Sequence, residues 1–447
     1  PKELEADEAG VYEGGDLVGK RGLERIREPD LRGEKGSSST EVNASGFEQQ
    51  QLKHEDPLPG RDITLTIDAE LQQAAEQYLA ISDKAGAVVA MEVDSGRVLA
   101  AVSAPTIHLE DFIGGISRKN WNALLENPRN PLLNKAVQGV YPPGSTYKIV
   151  TALAGLAEGV ITEHTTFYCP GHYYFGRRLY RCWKHSGHGT VDIRRAITES
   201  CDVFFYQTGQ RLGVDRLAAY AKKLGLGTRS GIELEHEKAG IVPTKDWKRK
   251  RFKEKWHEGE TLSVAIGQGF NNMTPLQICL MTMAVANGGK IYKPQIVEMV
   301  KTTDGEIVEQ LTPELLSELS TREKQYLPII EDGLYGVVQG KRGTARNVRI
   351  EGLTVAGKTG TAQVVRLAQY KGLKEQDIPY KYRDHAWFTC YAPADNPKIV
   401  VTVLVEHGLH GGSGAGPIAR VVLKKYFEQY LLEQARQKAE EEKDGKA

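Results

Sequence analysis

Three short stretches hold residues whose types and spacing could transfer an acyl group. In YPPGSTYKIV (141–150), Ser145 and Lys148 stand three apart where Tyr-Pro-Pro-Gly halts the chain and a helix follows. Positions i and i+3 share a face at a helix start, so the Ser145 hydroxyl and the Lys148 amine are expected to meet. A serine is a poor nucleophile until a neighbouring base takes its proton. A lysine takes it only when burial or nearby charge lowers its pKa. In TESCDVFFYQTG (198–209), Ser200 offers a second hydroxyl near a second helix, with Asp202 beside it. In LTVAGKTGTAQVV (353–365), Lys358 adds a cation that attracts a carboxylate, and Thr359 and Thr361 can donate hydrogen bonds to it. Gly360 is expected on an edge strand, where a bare Cα lets substrate backbone approach. Taken alone, Ser-x-x-Lys reads more simply as a solvent-facing pair. The three stretches in this order, each in a suitable local structure, argue for a site.

A thiol inside the second stretch raises a separate question. Cys169, Cys182 and Cys201 cluster in the sequence with His164, His172, His185 and His188. Four Cys and His ligands make a tetrahedral structural zinc site. No compact C-x-x-C is present, so a disulfide between two of these cysteines, three unrelated buried thiols, and a redox-sensitive thiol all compete with zinc. The segment 165–190 is rich in Gly, His, Tyr and Arg and poor in aliphatic residues. It cannot build its own core, which favours a metal. Spacing alone does not choose among the histidines. Cys279 and Cys390 lie in apolar stretches and read as core thiols.

Ordered elements must position these residues. DITLTIDAELQQAAEQYLA alternates like a strand, then offers Asp68 as a cap for a helix carrying Leu71, Ala74, Ala75, Tyr78 and Leu79. GAVVAMEVDSGRVLAAVSA predicts a hairpin through Asp-Ser-Gly. Residues 145–158 and 191–224 are helix-like. Thr274 and Pro275 start a helix that Asn287-Gly288-Gly289 stops. Strands return beyond 350 in LTVAGKTGTAQVV, HAWFTCYAPA and KIVVTVLVEHG. Strand hairpins first, helices in the middle and strands last predict one mixed α/β sheet domain with a large helical insertion. Residues 1–60 read as an extended linker or the remnant of an N-terminal module, with RGEKGSSSTEVN (32–43) as a linker. The main domain is expected over 61–430, and 431–447 as a solvated helix fraying into a charged tail.

The 447 residues balance 58 Lys+Arg against 58 Asp+Glu. That balance gives no basic excess for nucleic acid and no acidic excess for disorder. No apolar run reaches the roughly 18 residues that would span a bilayer. KDWKRKRFKEKW (245–256) is strongly basic. It reads first as a solvated surface, and second as a contact for an anionic partner or membrane surface. IGQGFNN (266–272) is Gly-rich but lacks the G-K-[ST] of a phosphate loop, and reads as a structural turn.

S-x-x-K, S-x-[N/D] and K-T-G in this order form the motif set of penicillin-binding proteins and serine β-lactamases. The sequence resembles class B penicillin-binding proteins, most of all the elongation-type penicillin-binding protein 2. The resemblance rests on GDLVGKRGLE, DITLTIDAELQQ, YPPGSTYKI, CPGHYYFGRRLYRCWKHSGHG, ESCDVFFYQTGQRLG, GIVPTKDWKRKRF, SVAIGQGFNNMTPLQ and VAGKTGTAQVV, and it covers residues 15 to 425. It implies the transpeptidase fold: an antiparallel sheet flanked by helices, with a large helical subdomain and an N-terminal pedestal.

The resemblance also implies D,D-transpeptidation of peptidoglycan stem peptides during cell elongation, with β-lactams acylating Ser145. Lys148 would be the general base, and Ser200 and Lys358 the proton relay. Thr359 and Thr361 would hold the substrate carboxylate, and the Ser145 and Thr361 N–H groups would form the oxyanion hole. Asp202 stands where the commoner pattern has Asn, as elongation-type members often do, and would orient Ser200 or Lys148.

Relatives that hold zinc through Asp, Asp, His and Cys at matching positions select Cys169, Cys182, His188 and Cys201 as ligands. The implied partner is a RodA-type membrane glycan polymerase, with other elongation proteins. The implied location is the periplasmic face of the inner membrane, through an N-terminal transmembrane helix that this sequence does not contain. A β-lactamase is the runner-up, but no E-x-x-x-N loop is seen. A D,D-carboxypeptidase differs only in using water as acceptor, and a vestigial β-lactam sensor is disfavoured by the intact Ser145, Lys148, Ser200 and Lys358.

Overall fold

The structure is a computed structural model that describes residues 11–364 and 377–444, with the last helix beyond residue 431 given by its backbone alone. The charged side chains expected in the tail therefore lie outside the described residues. The chain divides into two compact units. The first takes residues 1–66 and two later segments, 232–236 and 295–312; the second takes the rest.

In the first unit, Ser37–Val42 pairs antiparallel with Glu48–Glu55. This corrects the reading of 32–43 as a linker. Asn43 closes the turn, its side-chain oxygen accepting from the Ser45 and Phe47 N–H groups at 3.0 Å each, and a short polar hairpin needs no apolar periodicity when both faces are wet. Val297–Lys301 is the middle strand of a three-stranded sheet, between Ile307–Gln310 and Asp62–Leu65. Arg27 holds this unit's distant segments together, reaching Glu233 at 2.8 Å and Glu309 at 2.7 Å.

The second unit is built on a five-stranded antiparallel sheet. In chain order its elements begin with helix α1 (Ala69–Ile81) and strands β1 (Gly86–Glu92) and β2 (Val98–Ala104). The helical insertion follows: α2 (Lys148–Ala157), the hairpin β3 (His172–Phe175) and β4 (Arg178–Arg181), then α3 (Ile193–Thr198), α4 (Asp202–Leu212), α5 (Lys245–Phe252), α6 (Glu258–Ala265), α7 (Pro275–Ala286) and α8 (Leu327–Gln339). β5 (Ala356–Ala362), β6 (His385–Ala392), β7 (Ile399–Val405) and α9 (Gly416–Asp444) complete it.

The sheet order is β5-β6-β7-β1-β2, so β5 is an edge strand. Every residue of β7 is buried. Successive side chains of a strand point to opposite faces, so both faces of the sheet are covered. Helix α7 packs on β1, β6 and β7, while α1 packs on β2 and α9 on β7. Cys279 on α7 sits at the Val89 and Val400 carbonyls, and it and Cys390 are buried as expected. The caps behave as their chemistry requires: the Asp68 side chain accepts from Leu71 N, and that of Thr274 accepts from Gln277 N, inside a capping box. In the basic stretch, Lys248 is buried on Glu260 at 2.5 Å, while Lys250, Arg251, Lys253 and Lys255 are exposed. Among the described residues no helix is long and apolar enough to cross a membrane.

Candidate functional site

Ser145 does not lie in the α-helix proper. It belongs to a 3₁₀ turn, Gly144–Tyr147, which runs into α2 at Lys148. The turn is tight because it is wedged from two sides. Gly144 has φ +54°, and a Cβ there would meet the Thr361 carbonyl oxygen at 2.5 Å. Gly267 has φ +73°, and a Cβ there would meet the Gly144 carbonyl oxygen at 2.1 Å. Only a residue without a side chain fits either place. Gly144 N donates to Gly267 O at 2.9 Å, and Gln268 Nε2 donates to Thr361 O at 3.0 Å. Thus the loop 266–272 ties the serine turn to β5. The sequence showed that loop only as a turn; its glycine spacing was the available signal, but its partners are remote in the chain.

Lys148 is fully buried and faces the second stretch. Its Nζ donates to Asp202 Oδ1 at 2.6 Å, Ser200 O at 2.9 Å and Ser200 Oγ at 3.1 Å. Ser145 Oγ makes no side-chain hydrogen bond among the described residues, so the expected Ser145–Lys148 contact is replaced by a Lys148–Asp202 ion pair. The cause is electrostatic: a buried ammonium takes the nearest carboxylate. Burial raises the Asp202 carboxyl, with the Lys148 charge opposing it. Asp202 Oδ2 also accepts the Trp183 N–H at 2.8 Å, so this carboxylate joins Lys148 to the loop after β4.

Lys358 enters from β5. Its Nζ donates to Ser200 Oγ at 2.9 Å and to Thr359 O at 3.1 Å. Burial first, and then the Lys148 cation, push the Lys358 amine well below the ordinary lysine range. Ser200 Oγ is therefore bracketed by two amines, of which, among the described residues, only Lys148 has a carboxylate within ion-pair distance. Ser200 itself has φ +54°, a strained backbone for a non-glycine residue. It sits on the joint between α3 and α4.

Thr359 points to the other face of β5, where its Oγ1 lies 2.8 Å from Thr344 Oγ1. Gly360 departs from its expected role. A Cβ there would meet Trp387 Cβ at 2.9 Å, Pro143 O at 3.0 Å and Thr146 Cγ2 at 3.0 Å. Its missing side chain makes room for the serine turn; substrate approach is left to the open backbone edge of β5. Trp387 Nε1 donates to Pro142 O at 3.0 Å and braces the same turn from behind.

The thiol cluster lies directly behind Ser200. Sγ of Cys169, Cys182 and Cys201 and a ring nitrogen of His188 all lie within 4.8 Å of one another, and all four residues are buried. His164, His172 and His185 do not join them. His188 Nδ1 is 3.6 Å from Cys169 Sγ and 3.5 Å from Cys182 Sγ. A tetrahedral ion with Zn–S near 2.3 Å and Zn–N near 2.0 Å requires sulfur–nitrogen edges of about 3.5 Å, so the donor set fits zinc. All five cysteines are free, and no disulfide joins the cluster. Hydrogen bonding from Cys201 lowers the Cys169 and Cys182 thiols, and Cys201 is correspondingly raised.

These geometries agree with the comparisons. The pattern of the penicillin binding protein transpeptidase domain matches residues 86–424, and that of the penicillin-binding protein dimerisation domain matches residues 1–65. The chain belongs to the penicillin-binding protein transpeptidase family. The peptidoglycan D,D-transpeptidase MrdA of Haemophilus influenzae is 39% identical over 429 residues, covering 95% of this chain and 65% of that protein. MrdA of Escherichia coli K12 is 38% identical over 418 residues, covering 93% and 65%. This chain thus spans just under two thirds of these curated relatives.

The solved penicillin-binding protein 2 of Helicobacter pylori, in its complex with MreC, superposes with a TM-score of 0.85 at 35% identity, covering 96% of this chain and 76% of that one. Penicillin-binding protein 2 of Pseudomonas aeruginosa in complex with WCK 5153 gives 0.80 at 35% identity, covering 95% and 86%. The resemblance to penicillin-binding protein 2, and the fold it implied, are borne out.

Proposed function

We propose that this chain is a serine D,D-transpeptidase that cross-links peptidoglycan stem peptides during cell elongation and is acylated by β-lactams. The observation that carries this reading is the bracketing of Ser200 Oγ by Lys148 and Lys358, beside a serine turn locked against the Lys358 strand. Ser145 Oγ attacks the carbonyl between the terminal D-alanines. Lys148 first gives its proton to Asp202, whose carboxyl burial raises, and the neutral amine then takes the serine proton once substrate displaces its resting contacts. Ser200, with Lys358, passes a proton to the leaving nitrogen, and D-alanine departs. The C–N bond breaks as the Ser145 ester forms. Thr359 and Thr361 hold the terminal carboxylate. The Ser145 and Thr361 N–H groups receive the developing oxyanion; the close approach of Gly144 to Thr361 N, 3.1 Å from an added Cβ, supports that pairing. Asp202 orients Lys148. The amine of a second stem peptide then attacks the ester.

Cys169, Cys182, His188 and Cys201 would hold a structural zinc. Bound there, it would fix the hairpin behind Ser200 and supply no chemistry, because four protein ligands would leave no position open. For partners we propose a RodA-type glycan polymerase and other elongation proteins, among them one like the MreC bound by the Helicobacter pylori protein. For location we propose the periplasmic face of the inner membrane.

Mass spectrometry of the protein after exposure to penicillin tests the activity. One adduct per chain on Ser145, lost in Ser145→Ala, is expected; an unmodified Ser145 refutes the reading. Elemental analysis without added metal tests the second site: about one zinc per chain is expected, and none refutes it.

A further inference from the structure

The hairpin β3–β4 has two unlike faces. Residues directly opposite in an antiparallel pair share a face, and alternate residues along each strand repeat it. The register pairs His172 with Arg181, Tyr173 with Tyr180 and Tyr174 with Leu179. The face of Tyr173 and Tyr180 is packed: Tyr173 OH donates to Gln210 Oε1 at 2.6 Å, and Tyr180 OH to Gly259 O at 2.9 Å, with Tyr206 against the Tyr180 ring. The other face carries His172, Tyr174, Leu179 and Arg181. Tyr174 is 62% exposed and Leu179 40%, while Arg181 is exposed and among the described residues has no carboxylate partner. This face is aromatic and aliphatic with one free cation.

The strand leads into the active site. Two residues after Arg181 comes Trp183, itself 55% exposed. Its indole N–H donates to Ser200 O at 3.0 Å and Glu199 O at 3.1 Å, and its backbone N–H donates to Asp202. A large exposed ring with its polar edge fixed is a contact surface. The donor carboxylate is assigned to Thr359 and Thr361 on β5, so the Ser200 side of the site is left for the second substrate. That substrate is a peptide that carries an attacking amine and a terminal carboxylate.

We propose that the outward face of β3–β4, ending in Trp183, is the docking platform for the acceptor stem peptide, with Arg181 holding its terminal carboxylate. The proposal rests on the transpeptidase reading above. In the step it serves, the acceptor amine forms a C–N bond to the ester carbonyl and the Ser145 Oγ–carbonyl bond breaks. The amine proton passes to Ser145 Oγ through Lys148 and Ser200. Charge complementarity selects the peptide: an unpartnered guanidinium beside an apolar face suits a carboxylate held bidentately over packed side chains.

The test uses a D-alanyl thioester donor with a synthetic stem tetrapeptide as acceptor. The acceptor carries a free side-chain amine and is made with either a terminal carboxylate or a terminal amide. A charge-assisted bond predicts a KM for the carboxylate form about ten-fold lower in the unmodified protein. Arg181→Ala should equalise the two acceptors, and Arg181→Lys should keep much of the preference. Arg178→Ala, which removes the cation over the packed Tyr180 ring, should retain the full preference. Penicillin acylation of Arg181→Ala should stay within about two-fold, which separates acceptor docking from damage to the hairpin. A preference that is absent in the unmodified protein, or that survives Arg181→Ala, overturns the proposal. Failure of penicillin to acylate the unmodified protein would instead overturn the transpeptidase reading.

Discussion

Replacing Gly267 by alanine tests how the serine turn is held. The added methyl would lie 2.1 Å from the Gly144 carbonyl oxygen, about 0.9 Å inside the 3.0 Å below which real Cβ contacts essentially never fall. The obstacle is backbone, so no side chain can swing aside. Gly267 also has φ +73°, which costs an alanine about 1–2 kcal/mol. The 2.9 Å hydrogen bond from Gly144 N to Gly267 O would be stretched, at about 1 kcal/mol. Two to three kcal/mol lowers the melting temperature of a domain this size by roughly 3–4 °C, which leaves it folded at room temperature. Ser145 is the residue after Gly144, so its Oγ moves by a similar fraction of an ångström to one ångström. Such misplacement costs on the order of 100-fold in rate. The assay is the second-order rate of acylation by a fluorescent penicillin, followed by stopped flow beside a thermal melt. A 100-fold slower acylation with a modest melting shift is expected. Acylation within about three-fold, with the melting shift present, would show that the strain is absorbed elsewhere and that loop 266–272 does not set the nucleophile.

Other perturbations follow from the same geometry. Asp202→Asn leaves the fully buried Lys148 ammonium without its counter-charge, and should cost about 3 kcal/mol in a urea melt and slow acylation; unchanged stability would contradict the ion pair. Dialysis against a chelator should lower the melting temperature by on the order of 10 °C and restore it with zinc, and a Cys182→Ser protein that melts and acylates normally would exclude a structural metal. His385 is pushed down to about 4 by burial and then by His407, and its Nδ1 accepts the His407 N–H at 3.0 Å. The unfolded chain binds this proton first, so stability should be full above about pH 6.5 and fall by at most about 3 kcal/mol as pH drops to 4. His385→Asn should flatten that slope in thermal melts across pH, and an equal slope would place the titration elsewhere.

The elements were largely legible because their causes are local. Asp68 and Thr274 cap helices by their own side chains, and the continuous β-rich apolar runs GAVVAMEV and KIVVTVLV mark strands whichever way they pair. The residue types that the candidate site brings together were legible as well. Their contacts were not, because they depend on which buried charge reaches which partner. Lys148 turns to Asp202, 54 positions on, and no period in the sequence records that choice. Trp183 and Gln268 were missed for the same reason: each acts through a backbone carbonyl of a remote segment. Polar stretches misled in the opposite sense. Ser37–Val42 carries one apolar residue, the exposed Val42, so its pairing leaves no mark of burial. Segments 232–236 and 295–312 join the first unit through long-range packing that single-sequence patterns do not carry.

The order of strands in the sheet has a consequence for biogenesis. Ala90 pairs with Val401 and Gly360 with Trp387, so the N-terminal hairpin finds its neighbour only after the last third of the chain has been synthesised. The four donors of the thiol cluster, by contrast, lie within 169–201 and close a short loop. A chain released from the ribosome before β5 would have Ser145, Lys148 and Ser200 but neither Lys358 nor the wall that fixes the serine turn. Assembly of the candidate site thus waits for β5. A chain still threading before β5 holds its three site residues without the strand that brackets Ser200 and walls the serine turn.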